Sequence, residues 1–137
     1  MMLSAEKENV YVSWDYSTPG ISFSLVPGRI TIFKNTLEAL GYPEYYRFLF
    51  DTENRRFAVQ VCEIDDEGAH RLPETFLHDH YAIKSMDLVR FVYSTCDWNR
   101  KVTYRIPGEV YPAERLVNFN LVGALELHEG RLREPER

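Results

Sequence analysis

Arg29-Ile-Thr-Ile-Phe-Lys-Asn-Thr-Leu-Glu-Ala-Leu-Gly41 holds two elements back to back. Ile30 and Ile32 alternate with Arg29 and Thr31, the period of two that a half-buried strand requires, and β-branched residues suit a pleated surface. The period then lengthens. Asn35 is a good N-cap residue and Glu38 follows at the capping-box spacing, so a short helix is expected with Leu37 and Leu40 on one face. Gly41 can take the left-handed conformation that ends a helix, and Pro43 prevents continuation.

The flanks extend the pattern. Downstream, Tyr46, Phe48 and Phe50 alternate with Tyr45, Arg47 and Leu49; Asp51-Thr52-Glu53-Asn54 makes a hairpin loop; Phe57, Val59 and Val61 share one face of the return strand. Upstream, Ile21, Phe23 and Leu25 alternate with serines, and Pro27-Gly28 is a turn signal. Val10, Val12 and Trp14 read as a further strand, closed by Ser17-Thr18-Pro19-Gly20.

The same grammar returns later. A strand at Ile83 leads to a helix with Ser85 as N-cap, Asp87 in its first turn and Leu88, Phe91, Val92 and Thr95 at the spacing of a buried face. Val102, Tyr104 and Ile106 alternate, Pro107-Gly108 is expected to turn the chain, and Val117, Phe119 and Leu121 make another strand. Val122 to Leu127 fits a strand or a short helix equally well. Strand–helix–strand–strand therefore runs twice, over about 29–63 and about 81–121. The expected architecture is one α+β domain over 10–127, a mainly antiparallel sheet of about six to eight strands with two helices on one face. A tandem βαββ repeat of this kind resembles the TATA-binding-protein fold in outline. Residues 1–9 and 128–137 are expected to be loose ends.

Composition bounds the function. With 137 residues and 45% apolar side chains, the chain can bury one core and is not a disordered segment. A net charge of −5 excludes a globally basic nucleic-acid coat but permits a local basic patch. No apolar run approaches the roughly 18 residues of a membrane span, and the polar start has no signal-peptide core, so a cytoplasmic setting is expected. Cys62 and Cys96 are too few for a disulfide scaffold and read as small hydrophobes in a reducing compartment.

Cations form the leading constellation. Arg29, Lys34, Arg47, Arg55 and Arg56 lie in the first copy; Lys84, Arg90, Arg100, Lys101 and Arg105 lie in the second, where only Asp87 and Asp97 oppose them between 84 and 105. Alternate strand positions project side chains from one face, where they can meet phosphates, although strand-edge cations also serve to block unwanted pairing. The expected nucleic-acid contacts are Arg29, Lys34, Arg47, Arg55, Arg56, Arg100, Lys101 and Arg105, with Tyr45, Trp98 and Tyr104 near enough in sequence to stack bases.

Other groups read more plainly. His78-Asp79-His80 with His70 upstream offers two imidazoles at i, i+2, but a metal needs at least three ligands, so solvated histidines are the simpler expectation. Asp65-Asp66-Glu67-Gly68 lacks the alternating oxygen ligands of a calcium loop. There is no Gly-x-Ser-x-Gly, no His-Glu-x-x-His and no glycine-rich phosphate loop. Cys96 stands at a helix C-terminus, where the dipole disfavours a thiolate. No catalytic residue, metal or cofactor is expected.

Gly28-Arg-Ile-Thr-Ile, then Lys34, then a helix stopping at Ala39-Leu40-Gly41, then a hairpin resembles the AbrB-type (swapped-hairpin) DNA-binding domain. The resemblance covers residues 28–61. Phe33 stands where that family has Pro, and Tyr45-Tyr46 where it has a Gly-Asp turn. The family folds as an interlaced dimer of short chains, whereas this chain is long enough to supply both halves. The resemblance implies a bacterial-type DNA-binding transcriptional regulator. Net acidity, aromatic-rich strands and the lack of catalytic motifs point instead to a non-catalytic protein-interaction or scaffold domain, with a protein partner or self-association and no membrane.

Overall fold

The computed structural model describes residues 18–74, 80–128 and 131–132. The strand expected at Val10–Trp14 and most of both loose ends lie outside the described residues. In chain order the elements are β1 (Gly20–Ser24), β2 (Arg29–Ile32), α1 (Lys34–Ala39), β3 (Tyr45–Asp51), β4 (Arg56–Val61), β5 (His70–Arg71), β6 (Tyr81–Lys84), α2 (Met86–Cys96), β7 (Thr103–Tyr111), β8 (Leu116–Asn120), β9 (Leu125–His128) and β10 (Arg131–Leu132). Short 3₁₀ turns occupy Pro112–Glu114 and Leu121–Gly123.

Eight strands follow one antiparallel path, β5-β3-β4-β8-β7-β1-β2-β6, with β9 and then β10 added beside β7. The result is an α+β fold: a curled antiparallel sheet with two helices. The segment 122–127, which fits helix or strand, divides between a 3₁₀ turn and β9. The pairing of Leu127 with Leu132 carries strand structure into what was expected to be a loose tail.

The curl is made by β7. Residues 104–107 pair with β1, and 108–111 pair with β8. Pro107-Gly108 therefore lies inside a strand, and the expected turn there is corrected; the chain turns at Pro112 instead. Gly108 answers a packing need. A Cβ on it would lie 2.5 Å from Val117 Cγ1 and 2.6 Å from Phe119 Cε1, closer than real contacts come. Its absence lets side chains of β8 close over the strand. The curl brings β1 over β4, where Phe23 and Phe57 meet edge to face at 5.0 Å. Ile21, Phe23, Ile106, Phe57, Val59 and Phe119 are fully buried between these layers, and their removal from water is the main favourable term in folding.

Local helix signals yield to tertiary anchors. Asn35 does not cap α1; Phe33 occupies that position and makes no side-chain cap bond. The cause is Thr36, whose buried hydroxyl donates to the Gly20 carbonyl (2.7 Å) and accepts from the Gly20 N–H (2.8 Å). Gly41 does end the helix region in a left-handed conformation (φ 76°). In α2 the buried residues are Val89, Val92 and Tyr93, while Phe91 is 52% exposed and touches Phe50 at 5.3 Å. The buried stripe is thus shifted from the expected one. Tyr93 can enter the core because its hydroxyl finds two carbonyls, Phe23 (2.9 Å) and Val102 (2.6 Å). These anchors put α1 against the first residue of β1 and α2 near its last.

The two hairpins share one register. Phe48 lies opposite Val59 in β3–β4, and Gly108 lies opposite Phe119 in β7–β8, each 60 positions further on. Both loops close through a left-handed arginine, Arg55 (φ 53°) and Arg115 (φ 57°). The Arg55 carbonyl accepts from Leu121 N–H and the Arg115 carbonyl from Val61 N–H, both at 2.9 Å.

Candidate nucleic-acid interface

The segment after α2 is built from the backbone upward. Asp97 takes a left-handed conformation (φ 54°) and ends the helix, with Trp98 N–H donating back to the Tyr93 carbonyl at 3.0 Å. Asn99 N–H then donates to the Tyr104 hydroxyl, and Lys101 N–H to Asn99 Oδ1, both at 2.9 Å. The Trp98 ring stacks on Tyr104 with centroids 4.3 Å apart and meets Tyr93 edge-on at 5.2 Å. Arg100 and Lys101, both exposed, thus project from a segment that is already ordered, so a ligand pays little to immobilise it.

Other cations reach the same end by pairing. The Ser85 N–H donates to the Gly28 carbonyl at 2.9 Å, which sets the β1–β2 turn beside the start of α2. Gly28 is left-handed (φ 87°), and a Cβ there would press on Met86 at 3.0 Å. Arg29 is the register partner of Lys84, and Arg90 is exposed on α2 itself. The β3–β4 hairpin approaches through Phe50 on Phe91 and carries Arg55 and Arg56. The proximity of Arg55 acts on the Cys96 thiol, whose pKa burial nonetheless pushes up. At the foot of that hairpin, hydrogen bonds from Asn54 hold the Asp51 carboxyl below the usual carboxylate range, helped by the charge of Arg56. Five of the expected contacts, Arg29, Arg55, Arg56, Arg100 and Lys101, therefore lie on elements around α2.

Three do not join them. Lys34 opens α1, where its N–H donates to His80 Nδ1 at 3.2 Å. Arg47 is half-buried, with Nε donating to Gln60 Oε1 at 2.9 Å, and Gln60 in turn donates to the Glu114 carbonyl. Arg105 is only 7% exposed, its guanidinium carbon 3.9 Å from the Phe33 ring centroid; it packs as a cation–π partner. The aromatic group also differs from expectation. Tyr104 is buried and Trp98 half-buried, and each covers the other's face.

His70 and His80 are both exposed, and each lies against a ring. His70 stacks on Tyr46 at 5.3 Å, and His80 meets Phe33 edge-on at 4.7 Å; His78 lies outside the described residues. Among the described residues no three His, Cys, Asp or Glu side chains come together as a metal site. Both cysteines are free, and burial pushes both thiols up, away from nucleophilic use. Among the described residues no helix is long and apolar enough to cross a membrane. Lys84 and Arg90 were visible in the sequence only as part of a local charge excess; the register with Arg29 and the position on α2 are what bring them to this end. Comparison with protein-family models, with curated proteins and with solved structures finds no match.

Proposed function

We propose that this chain is a small DNA-binding regulator of the bacterial type that its segment 28–61 resembles. It meets the duplex backbone with the end built around α2. In this reading the two hairpins of common register belong to a tandem repeat, so that one chain does what an interlaced dimer does in the AbrB-type family. The observation that carries the reading is the pair Arg100 and Lys101, held on an ordered segment beside the elements that bear Arg29, Lys84 and Arg90. An overall charge of −5 gives no general attraction to DNA, so attraction must be local. It is also strongly screened, because the Debye length is only about 8 Å at physiological salt.

Fluorescence anisotropy of a labelled duplex across a salt series tests this. Each phosphate neutralised contributes about 0.9 to the slope of log K against log salt, so Arg100→Ala with Lys101→Ala should lower it by about 2. Lys34→Ala, at the other helix, should leave it unchanged. No binding at low salt overturns the proposal. The protein-interaction alternative draws on one observation, the exposure of Val26 (80%) and Phe91 (52%) near the same end. It predicts self-association or partner binding that Phe91→Ser abolishes and salt leaves nearly untouched.

A further inference from the structure

We infer that the groove between α2 and residues 97–102 is a seat for one phosphoanion: a phosphodiester, a phosphomonoester or pyrophosphate. The inference deepens the reading just given and rests on it for the ligand's source. Two adjoining cavities, about 420 and 300 Å³, share Leu25 and Arg100. Arg90 and Ser94 line the first from α2, four residues apart and so on one side of the helix, and Asp97 lines it from just past the helix end. Arg100 faces them from the segment beyond, and Lys101 lines the second cavity.

The chemistry of the lining fits an oxyanion. A guanidinium fork matches two phosphate oxygens, a serine hydroxyl donates a third bond, and an ammonium adds charge without demanding a fixed angle. Tyr93 is no ligand, because its hydroxyl already serves the Phe23 and Val102 carbonyls. Those two bonds tie β1, α2 and the 97–102 segment together, so the walls stand before a ligand arrives. The C-terminal dipole end of α2 opposes an anion in this groove, and so does Asp97. Asp97 lowers affinity and thereby provides a gain-of-binding test. Trp98 lines the groove and reports on it.

The probe is inorganic pyrophosphate, titrated by calorimetry into the wild type and by fluorescence into a Trp14→Phe background, where Trp98 is the only indole left. Chloride at matched ionic strength is the control. The expected result is saturable heat and a shift in Trp98 emission that chloride does not reproduce. Arg100→Gln should weaken binding by about tenfold, the usual loss of a charged hydrogen bond. Asp97→Asn should strengthen it by about threefold, in the range of an exposed charge pair. Lys34→Gln should leave it unchanged. No saturable response, or one that Arg100→Gln leaves intact, overturns the phosphoanion seat. The two readings fail separately. Duplex binding without a pyrophosphate response rejects the groove and leaves the DNA reading standing. A pyrophosphate response that Arg100→Gln removes, without duplex binding, upholds the groove and assigns it to a free phosphate compound.

Discussion

The two hairpins of this protein share one register and differ in their contents. At corresponding places in the ladder the first holds Phe48, whose ring packs on Phe57 at 5.3 Å, and the second holds Gly108. The residues opposite compensate: Val59 faces the phenylalanine and Phe119 faces the glycine. The register and a left-handed arginine at the loop end are thus held in common, while at this level the larger side chain comes from a different strand in each hairpin. The helices diverge further. α1 has six residues and a buried threonine; α2 has eleven, a buried tyrosine and one exposed arginine, Arg90. Backbone hydrogen bonding gives the two hairpins one register, and the side chains are free to differ.

The strongest way to break this likeness is Gly108→Ala. The added methyl meets Val117 and Phe119 in the core, with no solvent side to yield. Overpacking should cost about 2–3 kcal/mol in urea unfolding. An unchanged midpoint would mean that β8 can move away from β7, and that the compensation between the hairpins is loose.

Next in size are the helix anchors. Thr36→Val leaves the Gly20 N–H without its buried acceptor, while the Gly20 carbonyl keeps a bond from Phe33 N–H at 3.2 Å. The expected loss is about 2 kcal/mol. Tyr93→Phe removes one hydroxyl shared between two carbonyls and should cost about 1 kcal/mol. It should also loosen the 97–102 segment, seen as faster amide hydrogen exchange at Lys101 and Val102. Equal losses at both anchors, with no change in exchange, would contradict the difference between the two helices.

These anchors also explain what could be read in the chain. Period-two alternation identified β1 to β4, the first part of β7 and β8 because apolar residues two apart enter the core, as Ile21 and Phe23, Ile30 and Ile32, Phe57 and Val59, Tyr104 and Ile106, and Val117 and Phe119 do. It identified neither partner choice nor curl. Pro107-Gly108 has the composition of a turn, yet Gly108 is required by side chains on β8 that only the folded sheet brings near. Asn35 has the right chemistry for a cap, but a buried Thr36–Gly20 pair outweighs one exposed cap bond. The site was legible as an inventory of cations and illegible as a grouping. Arg29 meets Lys84 only through the β2–β6 register. Arg105 alternates like a surface residue, yet Phe33 offers it a ring to lie on.

Arg55 and Arg115 both hold a positive φ that a side chain disfavours. Arg55→Gly and Arg115→Gly should each stabilise by up to about 1 kcal/mol, the relief of left-handed backbone less the entropy of the added glycine. They should differ in function. Arg55→Gly should reduce the salt slope of DNA binding by about 1, and Arg115→Gly should not, because Arg115 belongs to the opposite hairpin and lines a groove with Leu40 and Val61. A matched loss of slope in both variants would detach DNA binding from the α2 end.

The smallest expected effect is a pH dependence confined to the first hairpin. Asp51 accepts from the Asn54 backbone and side chain at 3.2 and 2.8 Å, and its carboxyl is held below its ordinary value of 3.8. A carboxyl lowered in the folded state stabilises above its unfolded pKa, and that contribution fades as pH falls through the folded value. The corresponding place in the second hairpin holds Tyr111, which has no acid to protonate there. Wild type and Asp51→Asn should therefore differ in stability near neutral pH, with the gap starting to close near pH 3.8 and gone only below the lower folded-state value. Because Asp51 is fully exposed, the gap should be small and should shrink in salt. A gap that persists undiminished into acid would show that Asn54 is held by loop geometry, in the way the Pro112–Glu114 turn is held in the other hairpin, and that the two loops differ less than their charges suggest.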